Sequence, residues 1–366
     1  MSIQDFIEHI RKQTGIPYLD VVCSQNNKQI FRYVSGENAT GKERLRMYSC
    51  SKPITATAAA RLIAEGKLGL DDAVCKYLPE VASAYVLDEN GNKRVVGDKM
   101  TIRHLFTMSA GFTYSLSSHY VKNLARESDG KANLRDFISA FVQAPLAFAP
   151  GAEFRYSLCH DVLAAVIEVV MGQKFSLYIK EVVFDPLGMN DSSFDNSMQS
   201  DCVLYRADEE GKIAVTDEPN HLLPTPNYES GGAGLISTVD DYMKFANVLA
   251  NGGATEDGYR LIDENVLKML STDHVGAITL TNNFTCVQGE DYGYGLGVRV
   301  RKVDTDWGLN AGEYGWDGAA GAYLLVDPNL GVSVVMGMHL MGWPTVFMGK
   351  HIEIVKRIYQ EFFSVI

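Results

Sequence analysis

An α/β fold of the α+β kind, with one antiparallel sheet formed from N- and C-terminal segments and flanked by helices, is predicted by three features of the chain. Runs rich in β-branched and aromatic residues cluster near the two ends, over about 18–34 and 294–338. The stretch from about 70 to 230 carries helical periodicity and loop-forming residues instead. No internal repeat or low-complexity linker divides the chain. The sequence therefore predicts a single domain over 1–366, with a sheet subdomain from 1–69 and 235–366 and a mainly helical subdomain over 70–234.

In chain order, Met1 to Lys12 has the apolar spacing of an amphipathic helix. Residues 18–23 and 29–34 read as a hairpin joined by the turn-prone Ser24-Gln25-Asn26-Asn27-Lys28. An alanine-rich helix follows from Ile54 to a stop at Gly66. Further helices are predicted near 101–108, 132–143, 161–171 and 174–183. The third is so apolar at Val162, Leu163, Val166, Ile167, Val169 and Val170 that it should be buried. A helix over 238–250 is closed by Asn251-Gly252-Gly253. Strands return at 294–301, 322–326 and 332–338, the last two separated by the turn residues Asp327-Pro328-Asn329, and an amphipathic helix ends the chain over 345–363.

With 366 residues, 46% of them hydrophobic and 21% charged, the chain can bury substantial cores and does not read as disordered. A net charge of −12 and a pI near 5.2 argue against nucleic acid or an anionic membrane as partner, since either needs a basic face. No run reaches membrane-spanning length, and the first residues lack the continuous apolar core of a signal peptide, so a cytoplasmic location is expected. The six cysteines have no C-x-x-C spacing and suit reduced thiols. Cys50 reads as a packed, inert thiol, with a reactive thiol as the alternative. The histidines form no ligand-spaced pair, so no metal is expected. Nor is a cofactor: the glycines near 231–234 and 293–297 lack a strand-loop-helix nucleotide context.

Ser49-Cys50-Ser51-Lys52 carries the chemistry. It sets a hydroxyl and an amine one helical turn apart, a geometry in which the amine can take the serine proton. The pattern alone is weak, because 23 serines and 18 lysines in 366 residues supply roughly one match by chance. A second match, Ser128 to Lys131, lies in the polar stretch Arg126-Glu127-Ser128-Asp129-Gly130-Lys131 and reads as a solvated loop. Ser49 differs in context. Pro53 is tolerated in a first helical turn, whose free N–H groups and dipole would stabilise an oxyanion, and a lysine buried there would be a neutral base. The competing reading makes Ser49 an N-cap and Lys52 a surface lysine, and the local sequence leaves both open.

The order of other segments narrows this. Ser49-x-x-Lys52 is followed by Gly66-Lys67-Leu68-Gly69-Leu70-Asp71-Asp72, Tyr77-Leu78-Pro79-Glu80 and Thr101-Ile102-Arg103-His104-Leu105-Phe106-Thr107-Met108-Ser109-Ala110-Gly111-Phe112. Then come Phe154-Arg155-Tyr156-Ser157-Leu158, Asp185-Pro186-Leu187-Gly188-Met189, Ser230-Gly231-Gly232-Ala233-Gly234-Leu235 and Gly315-Trp316-Asp317-Gly318-Ala319-Ala320-Gly321. Over roughly 5–365 the chain resembles the serine β-lactamase and penicillin-binding-protein-like superfamily, which implies a β-lactamase/transpeptidase-like fold.

The resemblance implies Ser49 as nucleophile and Lys52 and Tyr156 as the proton-transfer pair, without settling which of the two is the base. It implies an oxyanion hole from the backbone N–H groups of Ser49 and Ala319. It also places Trp316, Asp317, Gly318 and Leu158 at the substrate. Two departures bear on specificity. Trp316-Asp317-Gly318 stands where β-lactamases and D,D-peptidases carry Lys-Thr-Gly or a close relative, and Leu158 stands where Asn is usual. Loss of a cation for a substrate carboxylate should cost roughly ten- to a hundredfold. Tyr-Ser-Leu followed by Trp-x-Gly is similar to family VIII carboxylesterases, although Asp317 departs from their usual Trp-Gly-Gly. Asp317 would favour a cationic substrate or point to solvent.

A serine hydrolase acting through an acyl-enzyme on a small-molecule ester or amide is therefore expected, most simply a carboxylesterase. A β-lactamase or D-amino-acid peptidase, an acyltransferase, and a silent binding protein are the alternatives. His160 reads as a satisfied capping or core residue, and the missing Gly-x-Ser-x-Gly argues against an α/β-hydrolase triad.

Overall fold

The structure is a computed structural model and describes residues 1–276, 291–342 and 349–363. Helix α1 (Ile3–Thr14) starts where the Ser2 hydroxyl accepts the Asp5 N–H and stops at Gly15, whose φ of 68° is the left-handed conformation glycine adopts without penalty. Strands β1 (Tyr18–Gln25) and β2 (Lys28–Gly36) form a hairpin. Its turn is shorter than expected: Asn26 and Asn27 alone make it, both at positive φ, a conformation asparagine tolerates.

Helix α2 (Ser51–Ala64) is central and buried on nearly every side, which its alanines at 56 and 58–60 permit by allowing close approach. Helix α3 (Leu134–Gln143) begins with a capping box between Asn133 and Asp136. Helix α4 (Cys159–Met171) is fully buried through Ile167, with Val169 and Val170 half-buried at its end. Helix α5 (Val239–Ala250) is capped by the Thr238 hydroxyl. The remaining strands are β3 (Tyr292–Tyr294), β4 (Arg299–Arg301), β5 (Tyr314–Asp317), β6 (Tyr323–Asp327) and β7 (Val332–Gly337), and the last helix is α6 (Lys350–Phe362).

The main sheet has the order β2-β1-β7-β6-β5-β4-β3, with every neighbouring pair antiparallel. The β1–β7 pairing, from Asp20 opposite Gly337 to Gln25 opposite Val332, joins the N- and C-terminal segments. Alternation along the strands divides the core. Leu19, Val21, Val334 and Met336 pack with Ile7 of α1 and Ile358 of α6 on one face. Val22, Leu324, Val335 and Trp316 pack towards Ile54 of α2 and Phe245 of α5 on the other.

Two expectations need correction. The single strand over 294–301 is two strands: Gly295 N–H donates to Val298 O at 2.8 Å, and Gly297 turns the chain at φ 86°. A Cβ on Gly297 would lie 2.6 Å from His160 Nε2 and 2.7 Å from the Ala56 side chain, so this turn presses directly on α2 and α4. The helix over 174–183 instead comprises Phe175–Ile179 and a wider π turn at Lys180–Phe184. Strand β5 was not anticipated, since glycine and aspartate are depleted in strands. Gly315 is required there because a Cβ would sit 1.9 Å from Leu324 O. Helices at His119–Glu127 and Glu264–Leu270 were also missed. Residues 345–348 of the expected final helix and Cys286 lie outside the described residues. Among those described, no single helix is long and apolar enough to cross a membrane.

Candidate active site

Ser49 lies in a single tight turn, Tyr48–Cys50, that runs straight into α2. Tyr48 just before it has φ 46°, a left-handed conformation that costs a non-glycine residue about 1–2 kcal/mol. Several contacts hold this turn. The Ser51 hydroxyl donates to Tyr48 O at 2.5 Å and accepts the Leu235 N–H at 3.0 Å, while the Met47 N–H donates to Leu235 O at 2.9 Å. The Tyr242 hydroxyl donates to Cys50 O at 2.7 Å. The strained turn leaves Ser49 at the surface of the core, 8% exposed.

Lys52 is 0% exposed. Its Nζ is 3.1 Å from Ser49 Oγ, 2.9 Å from Tyr114 Oη and 2.7 Å from Gly232 O. Burial lowers its pKa to about 7, and the carboxylate of Asp161 pulls the other way. Asp161, also buried, accepts a hydrogen bond from the Ser230 hydroxyl, and burial raises its own pKa. A Cβ on Gly232 would lie 2.7 Å from Asp161 Oδ2 and 3.5 Å from Lys52 Nζ, so the carboxylate and the amine flank one glycine.

Tyr156 stands on the other side of the serine. Its hydroxyl accepts the Trp316 indole N–H at 2.8 Å. Burial raises its pKa, and the neighbouring polar groups of Ser49, Trp316 and Tyr114 partly offset the rise. The Tyr156 ring lies 5.6 Å from Tyr114 and 5.2 Å from Trp316, so three aromatic side chains wall one side of Ser49 and Lys52. Trp316→Phe keeps the wall and removes the indole donor. It should lower kcat by up to roughly tenfold with little change in KM, measured as ester hydrolysis by the two proteins.

The other predicted residues are placed differently from one another. Ala319 lies half-buried in the turn after β5, which is closed by Gly318 N–H to Ala322 O at 2.7 Å and Gly321 N–H to Gly318 O at 2.9 Å. The Ala319 N–H is outside those two bonds. Gly318 is buried, and a Cβ there would be 2.3 Å from Met47 O, so its place is close packing against the serine turn. Leu158 is buried in the core, beside Phe112 and Leu146.

Asp317, with its side chain 26% exposed, is placed apart from Trp316. Strand alternation turns Trp316 towards Tyr156 and sends Asp317 to the opposite face, where it pairs with Arg299 Nη1 at 3.3 Å. Arg299, itself buried, also pairs with Glu313 at 3.3 Å and donates to Leu324 O at 3.0 Å.

His160 is a core residue, 0% exposed between Ala56 and Gly297, but it is not satisfied: neither ring nitrogen has a hydrogen-bond partner. Burial and the nearby Lys52 push its pKa well below the ordinary value. Cys50 is buried with its thiol on Trp316 O at 3.6 Å and its pKa raised by burial. Ser128 ends the helix at His119–Glu127 and Lys131 is exposed beside Asp129, a surface placement for the second Ser-x-x-Lys match. Among the described residues no group of three or more His, Cys, Asp or Glu could hold a metal ion.

Tyr114, Asp161 and the Gly232 carbonyl are parts of the site that the sequence did not reveal. Asp161 left one signal: it is an acidic residue in the first turn of a helix that is apolar from Val162 through Ile167.

The family profile described as beta-lactamase matches residues 3–355. Esterase EstB of Burkholderia gladioli is 30% identical over 316 residues, which span 80% of this chain and 76% of that protein. Monacolin J acid methylbutanoyltransferase of Aspergillus terreus is 24% identical over 327 residues, 81% of this chain and 77% of its own. Among solved structures, EstCE1, a hydrolase with promiscuous acyltransferase activity, superposes with a TM-score of 0.78 at 25% identity, covering 98% of both chains. Matched along nearly its whole length, with the motif serine, lysine and tyrosine gathered at one point of the fold, the chain belongs to the beta-lactamase family.

Proposed function

We propose that this chain is a serine hydrolase that forms an acyl-enzyme on Ser49, acting on small, neutral carboxylic esters. The observation that carries the reading is the buried Lys52 amine 3.1 Å from Ser49 Oγ, with a pKa near 7 that leaves it substantially unprotonated at neutral pH. Ser49 attacks the ester carbonyl as its proton passes to Nζ. The developing oxyanion is taken by the backbone N–H groups of Ser49 and Ala319, and Tyr156 serves the leaving group and then the deacylating water.

Preference for a neutral ester follows from what lines the cleft. Trp316 takes the position of a lysine and uses its N–H on Tyr156, while the neighbouring cation, Arg299, is on the other face of the sheet with Asp317 and Glu313. Among the described residues, neither Trp316 nor Arg299 offers a substrate carboxylate a cation there. Acyl transfer to an alcohol is the second reading, favoured by the similarity to monacolin J acid methylbutanoyltransferase. The free thiols at Cys23, Cys50, Cys75, Cys159 and Cys202 support a reducing, cytoplasmic location.

Substrate choice is tested by giving the purified protein a short-chain nitrophenyl ester and a chromogenic cephalosporin. The ester should have the higher kcat/KM by at least roughly tenfold. Faster cephalosporin cleavage would overturn the ranking.

A further inference from the structure

The geometry points to His351 of α6 as a positioning residue for the oxyanion hole: its imidazole holds the turn that presents the Ala319 N–H. The inference rests on the hydrolase reading above, in which that N–H takes the developing oxyanion, and adds to it a residue from the far end of the chain.

A peptide unit is planar and trans, so the Ala319 N–H points opposite the Gly318 carbonyl of the same plane. Whatever fixes that carbonyl aims the N–H. Gly318 O accepts the Gly321 N–H at 2.9 Å, so the direction of the oxyanion donor depends on where Gly321 sits. Gly321 has φ 80°, in the left-handed region, and no Cβ to restrict it. Its two flanking peptide planes must then be held from outside the turn. The preceding one is held by the backbone, where the Leu340 N–H donates to Ala320 O at 3.0 Å. The following one is held by a side chain: His351 Nε2 lies 3.1 Å from Gly321 O.

A carbonyl can only accept, so Nε2 carries the proton and donates. The ring is 7% exposed and stacks on Tyr323 of β6, with centroids 4.6 Å apart and planes 28° from parallel. Tyr323 stands opposite Asp317 at the end of β5, directly before the turn. Farther along α6, Ile354 and Ile358 are in the core with Leu325 and Val334 of the sheet. The imidazole is therefore anchored by both its stack and its helix. Burial lowers its pKa and keeps the ring neutral at pH 7.

The other end of the turn is pressed against the serine turn, where a Cβ on Gly318 would lie 2.3 Å from Met47 O. Packing at Gly318 and hydrogen bonds at Gly321 thus set the two oxyanion donors relative to each other. His351 acts through Gly321, not on the substrate.

Two substitutions separate the donor from the ring. His351→Phe keeps an aromatic stack on Tyr323 and removes Nε2, whereas His351→Gln gives up the ring and returns an amide N–H at a similar reach. Hydrolysis of a short-chain nitrophenyl ester gives kcat and KM, counted per chain that a phosphonate labels to completion at Ser49, so that unfolded protein drops out. Inhibition by a short-chain alkylboronic acid, which adds to a serine and sets an oxygen where the oxyanion forms, reads the hole itself. His351→Phe should lower kcat roughly tenfold with KM within about twofold, and should weaken the boronic acid by a similar factor. His351→Gln should recover both to within a few-fold of wild type. An unchanged kcat in His351→Phe, a loss that His351→Gln does not recover, or a loss of kcat with boronic acid binding intact would overturn the positioning role alone. A wild type that neither hydrolyses the ester nor takes the phosphonate defeats the hydrolase reading and this role with it.

Discussion

Ser49→Ala should abolish ester turnover, lowering kcat by roughly 10⁴-fold or more. Among the described residues, the neighbours of Ser49 offer no substitute nucleophile. The Ser51 hydroxyl is committed to Tyr48 O and the Leu235 N–H, contacts that hold the turn itself. The Cys50 thiol is buried against Trp316 O, with burial pushing its pKa up and suppressing the thiolate. The buried His160 is held neutral by the same desolvation that lowers Lys52, and its ring contacts Gly297 rather than Ser49. Because Ser49 is small and at the edge of the core, the alanine variant should melt within a few degrees of wild type, which separates lost chemistry from lost folding. The assay is hydrolysis of a nitrophenyl ester followed beside a thermal melt. Turnover above about 1% of wild type in a folded variant would contradict the assignment.

The second large effect is of pH. The deprotonated Lys52 amine is the active form, so kcat/KM should fall about tenfold per unit below pH 7 and level off above it. Tyr114 and Tyr156 do not generate that limb. Burial raises both, so they stay protonated through neutral pH and lose their protons only on the alkaline side. Two substitutions check the origin. Lys52→Arg places a permanent cation beside Ser49 and should be inactive at every pH. Asp161→Asn removes the carboxylate that opposes the burial effect on Lys52. The acid limb should then move to lower pH. A profile for Asp161→Asn that shifts to higher pH, or a wild-type rate independent of pH between 5 and 9, would contradict the assignment of Lys52 as the base.

Much of this site was legible because it is local or ordered along the chain. Ser49 and Lys52 are one turn apart, and their helix could be read from its alanines and from Gly66. Tyr156 and Trp316 were found through the order of the segments around them. What escaped depends on contacts between distant parts of the chain. Tyr114 reaches Lys52 from a loop between two helices, and Gly232 reaches it from a segment 180 residues on. No periodicity marks either one.

Asp317 shows a different limit. Whether a side chain in β5 meets the cleft or the opposite face is set by strand parity, and a slip of one residue would exchange Trp316 for Asp317. The register of Trp316 opposite Leu324 and Asp317 opposite Tyr323 decides it, together with the buried Arg299 waiting on the far face. The same parity puts Arg299 with Asp317 rather than with Trp316. The arginine nearest the third motif is present but turned away.

The measurement that tests the central claim most directly is the mass of a trapped acyl-enzyme. The protein is mixed with a short-chain nitrophenyl ester, quenched in acid within the first turnovers, digested and analysed by mass spectrometry. The account predicts one acyl group per chain, located on Ser49 and absent from Ser49→Ala. Acyl groups on another residue, or steady ester turnover in Ser49→Ala, would contradict it.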